Sequence, residues 1–434
     1  MKFKILFFII IAYASAFSQE LLTLEDAIKI AMANSYSINI ARNEAEITEN
    51  NYSAGNAGML PDIDITASYS KTNNNTTQKF FDGRNVERNG AKSTTIGAGV
   101  TLNWTIFDGL KMFASLDQLK SLRQIGELNF KTEVESNVTN ITSTYYDIVR
   151  LNEVLEVIKT NIQISEERVK IAEDKLEVGS GSRFDLRQAQ VNLNEDKSSL
   201  LREELNLSQS KILLNNLLGR SSNEDYNVED TIVYREDLNY DDLILNTKEN
   251  NTQLKIADEN KSVSELEINI TRSDIFPEIS LNAGYNFTRL ESEAGLLQIN
   301  RNLGFNYGIT ASLNIFNGLN TRNDIQNAEI NLKNSELAYK EIQQTVEADL
   351  LNTFNRYENS KHIVLLEKEN LSSAEENLSI ALERLRLGNI TPLEFRETQT
   401  NLFNAKSRLV SAQFEAKSAE TDLLRLSGQL IIAE

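Results

Sequence analysis

Gly99-Val100-Thr101-Leu102-Asn103-Trp104-Thr105-Ile106-Phe107-Asp108-Gly109-Leu110 decides the fold, because the chain writes it a second time. The copy is Gly308-Ile309-Thr310-Ala311-Ser312-Leu313-Asn314-Ile315-Phe316-Asn317-Gly318-Leu319. Val100, Leu102, Trp104 and Ile106 fall on every second position, as do Ile309, Ala311, Leu313 and Ile315. That is the period of a strand with one apolar and one polar face. Asp108-Gly109 and Asn317-Gly318 then break the strand. Behind each break lies a proline-free run of about seventy residues, which predicts a helix of roughly 100 Å.

Each return strand has an outgoing partner. Ile63, Ile65, Ala67 and Tyr69 alternate with polar residues after Leu60-Pro61-Asp62. Ile279, Leu281, Ala283, Tyr285 and Phe287 do the same after Phe276-Pro277. Proline ends the preceding helix because the residue before it avoids helical geometry. The pattern therefore predicts two β-hairpins, about 62–107 and about 278–316, the first with a polar loop over Asn73–Asn89.

The long helices are expected over about 110–178 and 319–387. Shorter return helices follow over about 182–219 and 391–428, after turns at Gly179-Ser180-Gly181-Ser182 and Gly388-Asn389-Ile390. In the last helix Leu402, Ala405, Leu409, Ala412, Ala416, Ala419, Leu423 and Leu426 step by three and four, a coiled-coil seam with close-packing Ala layers. Gly109 and Gly318, Gly179 and Gly388, and Gly219 and Gly428 are each 209 residues apart, whereas Pro61 and Pro277 are 216 apart. The seven extra residues must lie in the first hairpin. Such regularity is the mark of a duplication. The first repeat occupies 19–220, with helices ahead of its hairpin and Thr23 as a possible cap. A polar, acidic linker covers 221–239, and the second repeat runs over 240–434.

Residues 1–18 read as a secretory signal peptide: Lys2 and Lys4, an apolar stretch from Ile5 to Tyr13, then small residues at Ala14-Ser15-Ala16. No later window approaches the length of a membrane-spanning helix. With no cysteine there is neither a disulfide framework nor a thiolate metal site. The formal charge of −19 becomes −21 without the leader, which argues against nucleic acid as a partner. His362 is the only histidine and is read as a structural helix residue. No Ser/His/Asp set, glycine-rich phosphate loop or His/carboxylate cluster occurs, so neither an enzyme nor a cofactor is expected.

Four amphipathic strands cannot close a barrel, and an open sheet edge cannot sit in lipid, so copies must associate. The chain here resembles the TolC-type outer-membrane efflux family, the outer membrane factors, over nearly all its mature length. The resemblance rests on Leu60-Pro61-Asp62, on the two strand-turn-helix joins and on the two tips. The tips read Val178-Gly179-Ser180-Gly181-Ser182-Arg183-Phe184-Asp185 and Leu387-Gly388-Asn389-Ile390-Thr391-Pro392-Leu393-Glu394-Phe395-Arg396-Glu397.

It implies a mainly α protein with membrane β structure: a homotrimer whose twelve-stranded β-barrel in outer-membrane lipid continues as a twelve-helix α-barrel tunnel across the periplasm of a Gram-negative-type cell. The duct would serve tripartite efflux or type I secretion, docking an inner-membrane RND or ABC transporter through a periplasmic adaptor, or membrane fusion, protein. By the same resemblance Asp185, Glu394 and Glu397 match acidic positions at the periplasmic gate. Gly179, Ser180, Gly388 and Asn389 sit in the adaptor-docking tips. The positions of the family's Tyr and Arg closing contacts read Leu385 and Ile390 here, a departure from the pattern.

Each site has a plainer reading beside it. Thr391-Pro392-Leu393-Glu394 is a complete capping box, Ser182 and Asp185 share the cap spacing, and the tip glycines suit tight turns. Glu397 has no capping role. Trp104, on the apolar strand face, suits a membrane-interface belt. The rival class is an exported structural or adhesive coiled coil. Membrane fractionation with heat-modifiable gel migration separates the two.

Overall fold

A computed structural model of the chain describes residues 21–430; the leader expected over 1–18 lies outside them. Each repeat contains two short helices, a hairpin and a long helical pair. In the first these are α1 (Leu24–Asn34), α2 (Tyr36–Asn51), β1 (Asp62–Lys79), β2 (Asn85–Asp108), α3 (Lys111–Glu177) and α4 (Arg183–Leu217). The second has α5 (Tyr240–Asn250), α6 (Thr252–Ser273), β3 (Glu278–Ser292), β4 (Ile299–Ser312), α7 (Asn320–Arg386) and α8 (Pro392–Leu426). The long helices have 67 residues each and the return helices 35 each.

Two compact units cut across these repeats. One takes residues up to Arg42, Lys131–Thr252 and Gln344 onward; the other takes Asn43–Phe130 and Gln253–Gln343.

The second unit holds one antiparallel sheet in the order β1-β2-β3-β4. Ile63 pairs with Leu102, Val100 with Tyr285 and Phe287 with Leu303, so one face is apolar across all four strands. It is uncovered: Ile65, Phe305, Tyr307 and Ile309 are all exposed. The opposite face carries Asp64, Thr66 and Ser68 with an Asn pair, Asn286 donating to Asn306 Oδ1 at 2.8 Å.

Two expectations fail in the hairpins. The polar stretch Asn73–Asn89 is mostly strand: β1 and β2 pair on to Lys79 and Asn85, with a register shift between Asn74 and Thr76. β2 pairs with β3 only from Ser93, so this end is a two-stranded ribbon wet on both sides. It needs no apolar alternation, which hid it from pattern reading. The return strand of the second hairpin stops at Ser312 rather than reaching 316. β2 keeps β3 beside it as far as Asp108, opposite Glu278, whereas β4 is an edge strand whose only partner, β3, starts opposite Ser312, at Glu278. Leu313, Asn314 and Ile315 thus have no strand to bond.

Both joins use the same device. Gly109 and Leu110 have φ of 71° and 73°, and Gly318 and Leu319 have 74° and 68°. Two consecutive left-handed residues turn strand into helix. The leucines are the only non-glycine residues with positive φ among those described, at a cost of about 1–2 kcal/mol each. The residue ahead of the glycine caps the helix: Asp108 Oδ2 accepts from the Met112 amide at 2.9 Å, and Asn317 Oδ1 from the Thr321 amide at 3.5 Å.

In the helical unit each repeat builds its own core. The first gathers Ala27, Ile141, Ile148 and Leu214; the second gathers Leu243, Leu350, Tyr357 and Leu423. These are the same four positions, offset by 216 before the hairpins and 209 after them. The linker contributes too: Tyr226 and Val228 are buried in the first core, and Leu22 donates its amide to the Asn227 carbonyl at 2.8 Å. Along α8, Ala405, Ala412, Ala416, Ala419, Leu423 and Leu426 are buried within the single chain, so much of the heptad seam faces its own helices.

Candidate functional site

The site is built where each long helix turns back. α3 and α7 end in the same paired bonds. Ser180 N donates to Lys175 O at 2.9 Å and Gly179 N to Leu176 O at 3.1 Å. Asn389 N donates to Arg384 O at 2.8 Å and Gly388 N to Leu385 O at 3.2 Å. This Schellman pattern needs a left-handed residue, and Gly179 and Gly388 supply it at φ of 77° and 75°. A Cβ at either would meet nothing within 4 Å. Their glycine identity therefore follows from the turn alone.

The return helices start on matched caps. Ser182 Oγ accepts from the Asp185 amide at 3.1 Å and donates to Asp185 Oδ2 at 2.8 Å. Thr391 Oγ1 accepts from the Glu394 amide at 3.2 Å, while Glu394 Oε2 accepts from the Thr391 amide at 2.8 Å and hydroxyl at 2.7 Å. Those two bonds hold the exposed Glu394 carboxyl below its ordinary pKa. Asp185 and Glu394 are thus the same repeat position, third residue of a capped helix. Glu397, exposed one turn on, carries no such duty. It lines an open cleft of about 570 Å³ between α7 and α8, with Arg384, Asn377, Thr398 and Arg408. Both cations there are engaged: Arg384 donates to Asn389 O at 3.1 Å and Arg408 to Glu367 at 2.8 Å. No hydrogen bond or ion pair joins the three carboxylates among the described residues.

Leu385 and Ile390 pack an apolar cluster with Ala381 and the fully buried Phe395, joined by Ile164 and Ile171 of α3. Beside it lies a buried polar network that sequence reading missed. Arg396 of α8 grips Asp196 of α4 with both terminal nitrogens, at 2.9 and 3.0 Å. Ser165 of α3 donates to Asp196 Oδ2 at 2.5 Å, and Gln399 of α8 donates to Ser165 Oγ at 2.9 Å. Arg168 packs on the Phe395 ring at 5.7 Å. Burial, reinforced by the neighbouring Arg396 cation, lowers its pKa to about 10. The two helical hairpins are thereby tied by side chains 200 or more residues apart. One signal was available on α8, where polar Gln399 falls between Phe395 and Ala405 in the buried row.

Trp104 lies on the apolar sheet face near the helix join, partly exposed, and donates Nε1–H to the Met59 carbonyl at 2.9 Å. His362 is exposed on α7. Among the described residues no group of His, Cys, Asp and Glu could hold a metal, and no helix is long and apolar enough to cross a membrane.

A sheet with one apolar face left uncovered, joined through left-handed glycine turns to long paired helices, is the architecture of a protein that meets lipid on its strands and water on its helices. The chain belongs to the outer membrane efflux protein family, whose model matches residues 27–220 and 243–429. It is 21% identical over 416 residues to the outer membrane efflux protein BepC of Brucella suis, covering 94% of this chain and 86% of that one. To the outer membrane protein TolC of Escherichia coli it is 22% identical over 402 residues, 86% of this chain and 78% of that one. The fold matches the crystal structure of the Campylobacter jejuni CmeC outer membrane channel with a TM-score of 0.78 at 17% identity, over 94% and 86% of the two chains. The protein is therefore an outer-membrane efflux channel.

Proposed function

We propose that three copies of this chain form a twelve-stranded barrel in the outer membrane, continued by a periplasmic tunnel of helices, as the exit duct of a tripartite efflux or type I secretion system. The carrying observation is the sheet. Four strands leave β1 and β4 each with an unpaired edge and the apolar face uncovered, and lipid tolerates neither an open edge nor a half-closed barrel. The glycine joins support closure by further copies. Gly109 packs against Ser273 and Phe276 at the start of the next hairpin, whereas its repeat partner Gly318 faces open space beside edge strand β4. Eight strands from two copies would also close; the family favours three. Native mass spectrometry in detergent is expected to show trimers, and a stable dimer overturns the reading. A periplasmic adaptor protein docking at the turns around Gly179, Ser180, Gly388 and Asn389 would couple the duct to an RND or ABC transporter of the inner membrane. The duct itself needs no catalytic group.

The gate follows from the same arrangement. With three copies, Glu394 and Glu397 supply six carboxylates around the periplasmic mouth, with Asp185 on the alternate hairpins. Rings of carboxylate favour cations and repel anions. Glu394→Gln with Glu397→Gln is expected to lower the cation preference of single channels in planar bilayers and to weaken block by multivalent cations from the periplasmic side. Glutamine can still accept the Thr391 amide, so the cap survives in part. Glu397→Gln alone, free of any capping role, should show a measurable share. Unchanged selectivity and block in the double variant would place these carboxylates away from the mouth.

A further inference from the structure

The apolar sheet face ends in a row of cations. On β1 the outward positions run Ile63, Ile65, Ala67, Tyr69 and then Lys71; on β3 they run Ile279 to Phe287 and then Arg289. β4 enters with Arg301 ahead of Leu303, Phe305 and Tyr307, and β2 enters with Lys92 two positions ahead of Thr94 and Ile96. The register places all four on the apolar face: Lys71 opposite Thr94, Lys92 opposite Asn73, Ile96 opposite Arg289, and Arg289 opposite Arg301. Each strand thus carries one Lys or Arg where its apolar run ends; on β3 Glu291 follows Arg289 on the same face, opposite Ile299. All four lie at the end away from the helix joins. At the helix end the same face carries Ile63, Trp104, Ile279 and Ala311 and no charge.

Internal pairing accounts for only one of these cations, and for that one in part. Arg289 is bonded to Glu291, yet its Nε is buried without a partner. Lys71, Arg301 and the Lys92 ammonium have no ion pair or hydrogen bond among the described residues. Arg289 directly opposite Arg301 is a like-charge cross-strand pair, which destabilises a sheet unless an anion lies between them. By contrast, Arg84 and Arg88, out on the ribbon, are satisfied by Asp82 at 2.7 Å and the Glu293 carbonyl at 2.6 Å.

We propose that Lys71, Lys92, Arg289 and Arg301 form a collar that binds the phosphate groups of outer-leaflet lipid. The inference rests on the barrel reading, since the collar has meaning only where this face meets lipid. Guanidinium and ammonium groups just above an apolar band sit at headgroup depth, where phosphate oxygens satisfy them. With helices on the periplasmic side, the collar lies at the outer leaflet, and the uncharged helix end with Trp104 lies at the inner one.

The test titrates purified detergent-solubilised protein with diphosphoryl lipid A, reading bound lipid by native mass spectrometry. Wild type is expected to bind it in preference to the same lipid stripped of phosphate, with affinity falling as KCl rises. K71Q/K92Q/R289Q/R301Q should lower affinity roughly a thousandfold. The charge-keeping K71R/K92R/R289K/R301K should retain binding, as should K79Q/R84Q/R88Q on the ribbon. Should the neutral variant fail to fold, the phosphate and salt dependence of wild type and the two charge controls still decide. Equal binding of phosphate-free lipid, salt-independent binding, or loss confined to the ribbon variant would overturn the collar. So would inorganic phosphate displacing the lipid completely at low millimolar concentration, which marks a simple anion site. Heat-modifiable migration of each variant reports the barrel separately, so loss of the collar and loss of the barrel reading are distinguishable.

Discussion

Asp196→Ala is expected to open the junction of the two helical hairpins, at a cost of about 3 kcal/mol. Asp196 is 5% exposed and accepts both terminal nitrogens of Arg396 together with the Ser165 hydroxyl. Removing one member of such a buried pair costs about 3–5 kcal/mol, because the remaining charge keeps its desolvation without its counter-ion. The lower end applies here, since the Arg396 side chain is 20% exposed and Glu195 stands 3.8 Å away. The effect should be local. Hydrogen exchange around Ser165 and Gln399 is expected to speed up about a hundredfold, the equivalent of that free energy, while the core around Leu350 and Leu423 changes little. Asp196→Leu with Arg396→Leu should recover much of the loss, because an apolar pair needs no desolvation. If Asp196→Ala leaves exchange at Ser165 unchanged, the network is ornamental and the apolar packing around Phe395 holds the hairpins alone.

Gly219→Ala should destabilise the helical unit by about 3 kcal/mol, against about 1 kcal/mol for Gly388→Ala. The two glycines share a conformation: φ is 67° at Gly219, just past α4, and 75° at Gly388, just past α7. The left-handed penalty of about 1–2 kcal/mol is therefore common to both. Their surroundings differ. A Cβ at Gly219 would lie 2.6 Å from the Asn34 carbonyl oxygen and 2.9 Å from its carbon, the backbone at the end of α1. Backbone cannot rotate aside, so overpacking adds about 1–3 kcal/mol. At Gly388 nothing lies within 4 Å. Gly428, the repeat partner of Gly219, would meet the Asn250 carbonyl oxygen at 2.7 Å and should behave like Gly219. Urea denaturation followed by far-ultraviolet circular dichroism measures the difference. Equal losses at Gly219 and Gly388 would mean that α1 gives way and that turn conformation is the whole effect.

The repeat was legible in the residues because it is written in local chemistry. A period of two marks the strands, a period near 3.6 the helices, and glycines at a constant spacing the helix ends; each is a property of a few neighbouring positions. The spacing of 209 and 216 also determined which residues would be equivalent, and the two cores around Ile141 and Leu350 obey it. The capping role of Thr391 and Glu394 was readable for the same reason, since a cap spans four residues. Where both faces of a strand meet water the local signal vanishes, so the ribbon over Asn73–Asn89 passed for a loop. Only the tertiary structure decided where the strands end, because an edge strand stops when its partner does: β4 halts at Ser312 opposite Glu278. It alone brought Asp196, Arg396, Ser165 and Gln399 together and set Arg289 against Arg301. Hydrogen bonds and charges act over a few ångströms of space, and no periodicity along a chain records which distant side chains the packing will bring that close.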